Sequence, residues 1–255
     1  MATMYPRAPF GAKSHGEVEL FHALQQGLDE DYAVFYSVAW LAPRRPGLEP
    51  SDGESDFVIL HPDLGLLTLE VKGGQISFDP YDGWFTQPHG AARKESIRDP
   101  FLQAKDNKYS LRRKLQTLPG WRNRYIRDGH AVAFPDGVAP AYPPRPDAQP
   151  DIVLSALDLP HIARRIEEIY DFWAGEDGHD RFGAFSSGEL SRIIDLLGRK
   201  WDLRAPRLSE KLAVETERIV HLTEKQYSLL GFLGEQRRAS IAGPAGSGKT
   251  MIAVE

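Results

Sequence analysis

The stretch "LEVKGG", Leu69 to Gly74, sets a carboxylate and an ammonium at alternate positions of an apolar run. If that run is a β-strand, Glu70 and Lys72 share one face while Leu69 and Val71 turn to the other, because side chains alternate across a strand. Asp56 stands near the start of the preceding apolar run, "SDFVILH", and Pro62-Asp63-Leu64-Gly65 between the two runs is a turn signal. Antiparallel pairing across this hairpin brings Asp56 beside Glu70. Hard oxygen ligands of this kind suit Mg²⁺ or Mn²⁺, which polarise a phosphodiester and supply an acidic bound water. A lysine next to the ion can orient the nucleophile or stabilise developing charge. The same residues also fit an ordinary charge pair on a solvated strand with Asp56 in a turn. The apolar setting and the Gly-Gly after the lysine, which allows close backbone approach, favour a built site.

A second constellation lies at "GPAGSGKT", which matches the phosphate-loop pattern GxxxxGK[ST] at Gly243, Gly248, Lys249 and Thr250, with Gly246 inside it. In such a loop the backbone N–H groups wrap nucleotide phosphates at a helix N-terminus. Lys249 would reach the β and γ phosphates, and the Thr250 hydroxyl would bind Mg²⁺. "RASIA" before the loop reads as a strand and "TMIAVE" after it as the start of a helix. Only Met251 to Glu255 follow. A motor also needs an acidic strand, transition-state arginines and a second lobe, so the sequence as it stands is expected not to hydrolyse ATP.

The elements around these motifs follow from periodicity. "GEVELFHALQQGL" (16–28) places Leu20, Ala23, Leu24 and Leu28 on one helical face. "YAVFYSVAWL" (32–41) is rich in β-formers and is followed by a Pro/Gly-rich loop over 42–53. "GQISFDP" and "GWFTQPH", joined by "YDG", form a second predicted hairpin. "DPFLQAKDNKYSLRRKLQTL" resumes helical spacing, "HAVAFP" (130–135) is a short buried strand, and "DIVLSALDL" (151–159) is the last strand, after the loop "APAYPPRPDAQP". Helices are predicted over 160–174 and 187–197 with the turn "AGEDGHDRFG" between them; a linker follows at 201–208, and a short helix starts after Thr223.

Composition bounds the classes. The chain has 255 residues, 41% hydrophobic and 26% charged, enough for one large domain or two smaller ones with a core. No window approaches the roughly 18 apolar residues of a membrane span, and the N-terminal residues lack a signal peptide's apolar stretch. A cytoplasmic protein that makes no membrane contact is expected. The absence of cysteine excludes disulfides and thiolate zinc sites. A net charge of −5 gives no global attraction to nucleic acid, so any such binding needs a local patch. One is present: Lys105, Lys108, Arg112, Arg113 and Lys114, with Arg122, Arg124 and Arg127 beyond, face a single acid, Asp106, and Tyr109, Trp121 and Tyr125 are interleaved. Such a run can neutralise backbone phosphates while the aromatics stack on unpaired bases, or it can be a solvated face whose long stems cover an apolar stripe.

Taken together, "GEVELFHAL", "ESDFVILHPDLGLLTLEVKGG", "DGWF", "RDPFLQAKDNKYSLRRKL" and "HAVAFPD", in this order, resemble the nuclease-related domain, a branch of the PD-(D/E)xK nuclease superfamily. The resemblance runs from Gly16 to Leu159. It implies an α/β fold with a restriction-endonuclease-like mixed sheet flanked by helices. It also implies metal binding by Asp56 and Glu70, catalysis by Lys72, and places for Glu17 and Gln103 at the rim, with Glu19 an alternative to Glu17. Ser55 stands before Asp56 where a bulkier residue is expected. "LTEKQYSLL" with "IAGPAGSGKT" is similar to the opening of superfamily 1 DNA helicases, which implies that Gln226 contacts adenine. The organisation expected is a nuclease-related domain over 1–159, a helical connector over 160–208, and over 209–255 the beginning of a P-loop NTPase (RecA-like) domain. Its cofactors would be Mg²⁺ or Mn²⁺ and, in a longer protein, ATP. DNA is the expected partner, with RNA open, and the expected activity is phosphodiester cleavage. A non-cleaving module that targets a helicase is the alternative.

Overall fold

The computed structural model describes residues 1–12, 14–41, 52–88, 90–140, 142–175 and 185–200, together with isolated positions between 207 and 244. The chain divides into two compact units, Met1–Arg199 and Lys200–Glu255, and the elements below belong to the first. Most of the predicted loop at 42–53, the turn at 174–183 and the linker at 201–208 lie outside the described residues. Outside them too lie all but Ser228 of the predicted helix and all but Ser240 and Ala242 of the predicted strand before the phosphate loop, and Gln226, Gly243, Gly246, Gly248, Lys249 and Thr250.

Apolar β-forming runs build one six-stranded mixed sheet. Its strands are Thr3–Tyr5 (β1), Ala33–Leu41 (β2), Asp52–His61 (β3), Gly65–Val71 (β4), Asp128–Phe134 (β8) and Val153–Ser155 (β9), in the spatial order β1-β2-β3-β4-β8-β9. β2, β3 and β4 pair antiparallel, whereas β1 with β2, β4 with β8 and β8 with β9 pair parallel. Between β4 and β8 the chain forms a small antiparallel sheet, Gln75–Asp79 (β5), Gly83–Gln87 (β6) and Glu95–Ile97 (β7). Both predicted hairpins are present. β1 and β7 are three-residue edge strands too short for a periodic signal.

The predicted last strand shortens to Val153–Ser155, because both the backbone N–H and the hydroxyl of Ser155 donate to Asp158 Oδ2, at 2.7 and 2.8 Å. That local turn takes the groups a longer strand would use.

Among the described residues four α-helices cover the large sheet: His15–Gly27 (α1), Pro100–Leu115 (α2), Ile162–Ala174 (α3) and Ser187–Gly198 (α4). The central strands are buried on both faces, and strand alternation sorts their side chains into two cores. Phe57, Ile59, Leu67 and Leu69 pack with Leu20 and Leu24 of α1 and Ile166 and Ile169 of α3. Val58, Leu60 and Leu66 pack with Leu111 and Leu115 of α2 and Ile193 of α4. Each large side chain so buried contributes about 1.5–3 kcal/mol of transfer free energy. Tyr170 anchors α3 further, its hydroxyl donating to Ile59 O at 3.0 Å. Among the described residues no helix is long and apolar enough to cross a membrane.

Helix starts are fixed by side-chain caps. The Ser14 hydroxyl accepts the N–H of Glu17 at 3.2 Å to open α1. Asp99 accepts from Phe101 N and Leu102 N to open α2, with Pro100 at its first turn.

Candidate active site

The β3–β4 ladder runs from His61↔Gly65 to Phe57↔Leu69. One step further on, the Asp56 carboxylate replaces the backbone, Oδ2 accepting the N–H of Val71 at 2.7 Å. This fixes Asp56 against the strand that carries Glu70 and Lys72. β3 starts well before Asp56, at Asp52, and Ser55 is fully buried with its hydroxyl donating to Phe57 O at 3.0 Å, so a small polar residue fits there. On the other side, the register with β2 passes from Tyr36↔Phe57 to Val38↔Ser55 across Ser37, whose φ is 54°. A non-glycine residue in that region costs of order 1–3 kcal/mol, and such distortions cluster beside functional groups.

Alternation along β4 places Leu69 and Val71 in the apolar core and Glu70 on the α2 side, as the spacing predicts. Lys72 Nζ donates to Glu70 Oε1 at 2.7 Å, and Asn107 Nδ2 of α2 donates to Glu70 Oε2 at 3.2 Å. Glu17 comes in from the first turn of α1, buried, its Oε2 accepting the Tyr36 hydroxyl at 2.7 Å. Burial first, and then this hydrogen bond, push the Tyr36 pKa up, so the phenol stays a donor. Glu19, the alternative to Glu17, is half-exposed on the outside of α1, 3.6 Å from His15.

Gln103 lies on α2, and its Oε1 is buried without a hydrogen-bond partner among the described residues. These side chains share one cleft of about 640 Å³, lined by Glu17, Asp56, Glu70, Lys72, Gln103 and Asn107, with Arg98, Asp106, Tyr109, Ser110 and Arg113 around them.

The Gly-Gly after Lys72 is required by two close approaches. A Cβ on Gly73 would lie 2.9 Å from Ser14 Cβ, at the cap that starts α1 and so sets Glu17. Gly74 has φ +84°, a Cβ there would lie 2.7 Å from Gln87 O, and its N–H donates to Asp136 Oδ2 at 2.6 Å. Larger residues would force the strand end and the first helix apart.

The electrostatics are those of crowded carboxylates. Burial, and next the charge of Glu70, raise the Asp56 pKa from an ordinary 3.8 to about 7, against the opposing N–H of Val71. A divalent cation suits such a place. Asp56 and Glu70 offer hard oxygens side by side, a carboxylate has about four acceptor positions, and the unpartnered Gln103 Oε1 adds a neutral acceptor in the same cleft.

The basic helix divides by face. Lys108 is buried, its Nζ 4.2 Å from the centroid of the Trp173 ring and 4.9 Å from that of Tyr109, and burial lowers its pKa. Arg112 pairs with the buried Asp128 through Nε at 2.6 Å and through Nη2. Both are engaged in packing, whereas the expectation is that the run as a whole either meets backbone phosphates or covers an apolar stripe. The remaining three divide again: Arg113 lines the cleft, Lys105 is exposed, and Lys114 is half-buried. Trp121 is buried against Phe185 with ring centroids 6.0 Å apart, so it is core and no stacking platform. Arg124 pairs with Glu189 at 3.0 Å, tying α4 to the segment after α2.

Sequence reasoning missed Asn107 and Tyr36. Asn107 follows Gln103 by one helical turn and was legible on the same face of α2. The contact of Tyr36 with Glu17 crosses two elements and left no local mark.

Residues 12–135 match the family described as nuclease-related domain, a span that runs from just before α1 to the end of β8 and holds every residue of the cleft. Over that span the chain is similar to the nuclease-related domain family, and its mixed α/β fold is consistent with a nuclease fold. No curated protein and no solved structure matches the chain.

Proposed function

We propose that the nuclease-related domain cleaves DNA phosphodiesters with Mg²⁺ or Mn²⁺ held by Asp56 and Glu70. The observation that carries this reading is the convergence of Glu17, Asp56, Glu70 and Lys72 in one cleft, with the acceptor of Gln103 meeting no donor among the described residues. The ion, when bound, polarises the phosphoryl oxygen and makes a bound water acidic. Lys72, held by Glu70 beside that position, stabilises the developing negative charge. Asn107 holds the other oxygen of Glu70, Glu17 adds negative charge at the rim, and Gln103 orients a water or substrate donor. Arg113 and Lys105 receive the phosphate backbone. Residues 160–208 would then connect this domain to the start of a superfamily 1 helicase motor at 209–255, which binds ATP through Gln226 and the phosphate loop in a longer protein.

A cleavage assay on single- and double-stranded DNA, and on RNA, with Mg²⁺, Mn²⁺ or EDTA tests the reading. Cleavage with either metal and its loss in EDTA are expected. Binding without cleavage in any metal is the result a non-cleaving targeting module would give, and it overturns the proposal.

The pH dependence has a defined sign. In the metal-free protein Asp56 holds its proton more tightly folded than unfolded. Its contribution to stability is therefore full below the unfolded value near 3.8 and is lost as pH rises through about 7. A cation needs the ionised carboxylate, so it binds more tightly above that range and releases a proton below it. Thermal melts should therefore show metal-free protein losing stability between about pH 6 and about pH 8, and Mg²⁺ raising Tm more at the higher pH. An equal rise at both values would remove Asp56 from the ligand set.

A further inference from the structure

A second cavity, of about 780 Å³, lies where the proline-rich loop after β8 meets the small sheet. Phe78, Trp84, Phe101 and Phe134 line it, in mutual contact: Phe78 and Trp84 have ring centroids 4.9 Å apart, and Trp84 and Phe101 5.6 Å apart. The loop wall is pinned. Arg145 Nη1 lies 2.6 Å from Asp99 Oδ2, the carboxylate that caps α2, and its guanidinium lies 5.7 Å from the Phe78 centroid. The indole N–H of Trp84, a ring more than nine-tenths buried, reaches no acceptor among the described residues. A buried donor without a partner favours a ligand that brings an acceptor on a flat apolar body.

The cavity adjoins the carboxylate cleft through two elements. Gly74 lines the cavity and Lys72 the cleft, two residues apart on one chain segment. Phe101 lines the cavity and Gln103 the cleft, within one turn of α2. Two residues of chain span at most about 7 Å. A nucleotide chain held in the cleft therefore has a neighbouring base within reach of the cavity.

We propose that this cavity takes one unpaired nucleobase of the strand held in the cleft, stacked on the Phe78 and Trp84 rings and accepting the Trp84 N–H at its edge. The proposal rests on the nuclease reading and adds to it a preference for substrate whose base beside the cut is free to leave its partner. Stacking makes this capture tolerant of sequence, since every base has a π face.

The test uses the whole chain and single-stranded oligonucleotides carrying 2-aminopurine at one position each, bound in EDTA, with the cut position mapped separately in Mg²⁺ or Mn²⁺. One position beside the cut is expected to be quenched on binding. Phe78→Ala should remove that quenching and weaken binding on the order of tenfold. Trp84→Phe should keep the quenching and weaken binding a few-fold; it retains an aromatic ring in the core and so carries the test if Phe78→Ala does not fold. Cleavage with no quenched position, or quenching that survives Phe78→Ala, overturns the base pocket alone. A quenched position that Phe78→Ala abolishes, with no cleavage in any metal, supports the pocket and overturns the nuclease reading. Neither quenching nor cleavage overturns both.

Discussion

Asp56→Asn is expected to reduce metal-dependent cleavage by on the order of 10²–10³-fold while the fold stays intact, and Lys72→Ala to do the same. The asparagine is chosen because Asp56 has two duties. One of its oxygens accepts the Val71 N–H at 2.7 Å and closes the end of the β3–β4 ladder. An amide oxygen can keep that bond, whereas alanine would leave a strand N–H without its partner. What the amide removes is the negative charge and with it the proposed hold on a cation. Loss of cleavage with a metal-free melt no lower than the parent's, and a diminished Mg²⁺ shift of Tm, would place Asp56 in catalysis. If Asp56→Asn and Lys72→Ala both cut at the parent rate, the chemistry is elsewhere. Lys72 is the complementary case. Its ammonium neutralises the buried Glu70 at 2.7 Å, so Lys72→Ala leaves Glu70 crowded by Asp56 without its counter-charge. Metal binding should survive that change better than turnover does.

The second large effect separates two neighbouring arginines. Arg112→Ala should destabilise the protein by roughly 3 kcal/mol, because it leaves the Asp128 carboxylate uncompensated in the interior. Arg113→Ala should leave the melt within about 0.5 kcal/mol of the parent, since its guanidinium is exposed and, among the described residues, donates only to Ser110 Oγ at 2.9 Å. Nucleic-acid affinity should respond in the opposite sense. Arg113→Ala lowers it and cuts the salt slope by about one phosphate contact, whereas Arg112→Ala changes it only as far as unfolded protein accumulates. Thermal denaturation beside a salt titration of DNA binding checks both, and an Arg112→Ala variant as stable as the parent would sink the packing assignment. A change of all three of Arg112, Arg113 and Lys114 would mix the two effects and so could not separate them.

Much of the site was legible because its signals are local. A strand alternates its side chains, so "LEVKGG" alone puts Glu70 and Lys72 on one face, and a turn signal before it supplies the antiparallel partner that brings Asp56. The Gly-Gly was legible as a close approach, though not the partners that require it, Ser14 and Gln87, which are distant in sequence. The short strands β1 and β7 were not legible, since three residues carry no period. The tie between Tyr36 and Glu17 was not either, since it depends on how α1 crosses the sheet.

By itself the sequence determined the hairpin, the carboxylate and lysine pattern, the amphipathic first helix and the positive charge along α2, all of them properties of spacing within one element or one hairpin. Tertiary structure alone decided which of those charges face a ligand. Lys108 and Arg112 read like Arg113 in the sequence, yet the first lies under Trp173 and the second against Asp128. Helical phase relative to a core is set by packing against β8 and α3. The free-energy difference between a solvated and a buried cation is decided there, by whether a ring or a carboxylate waits on the other side.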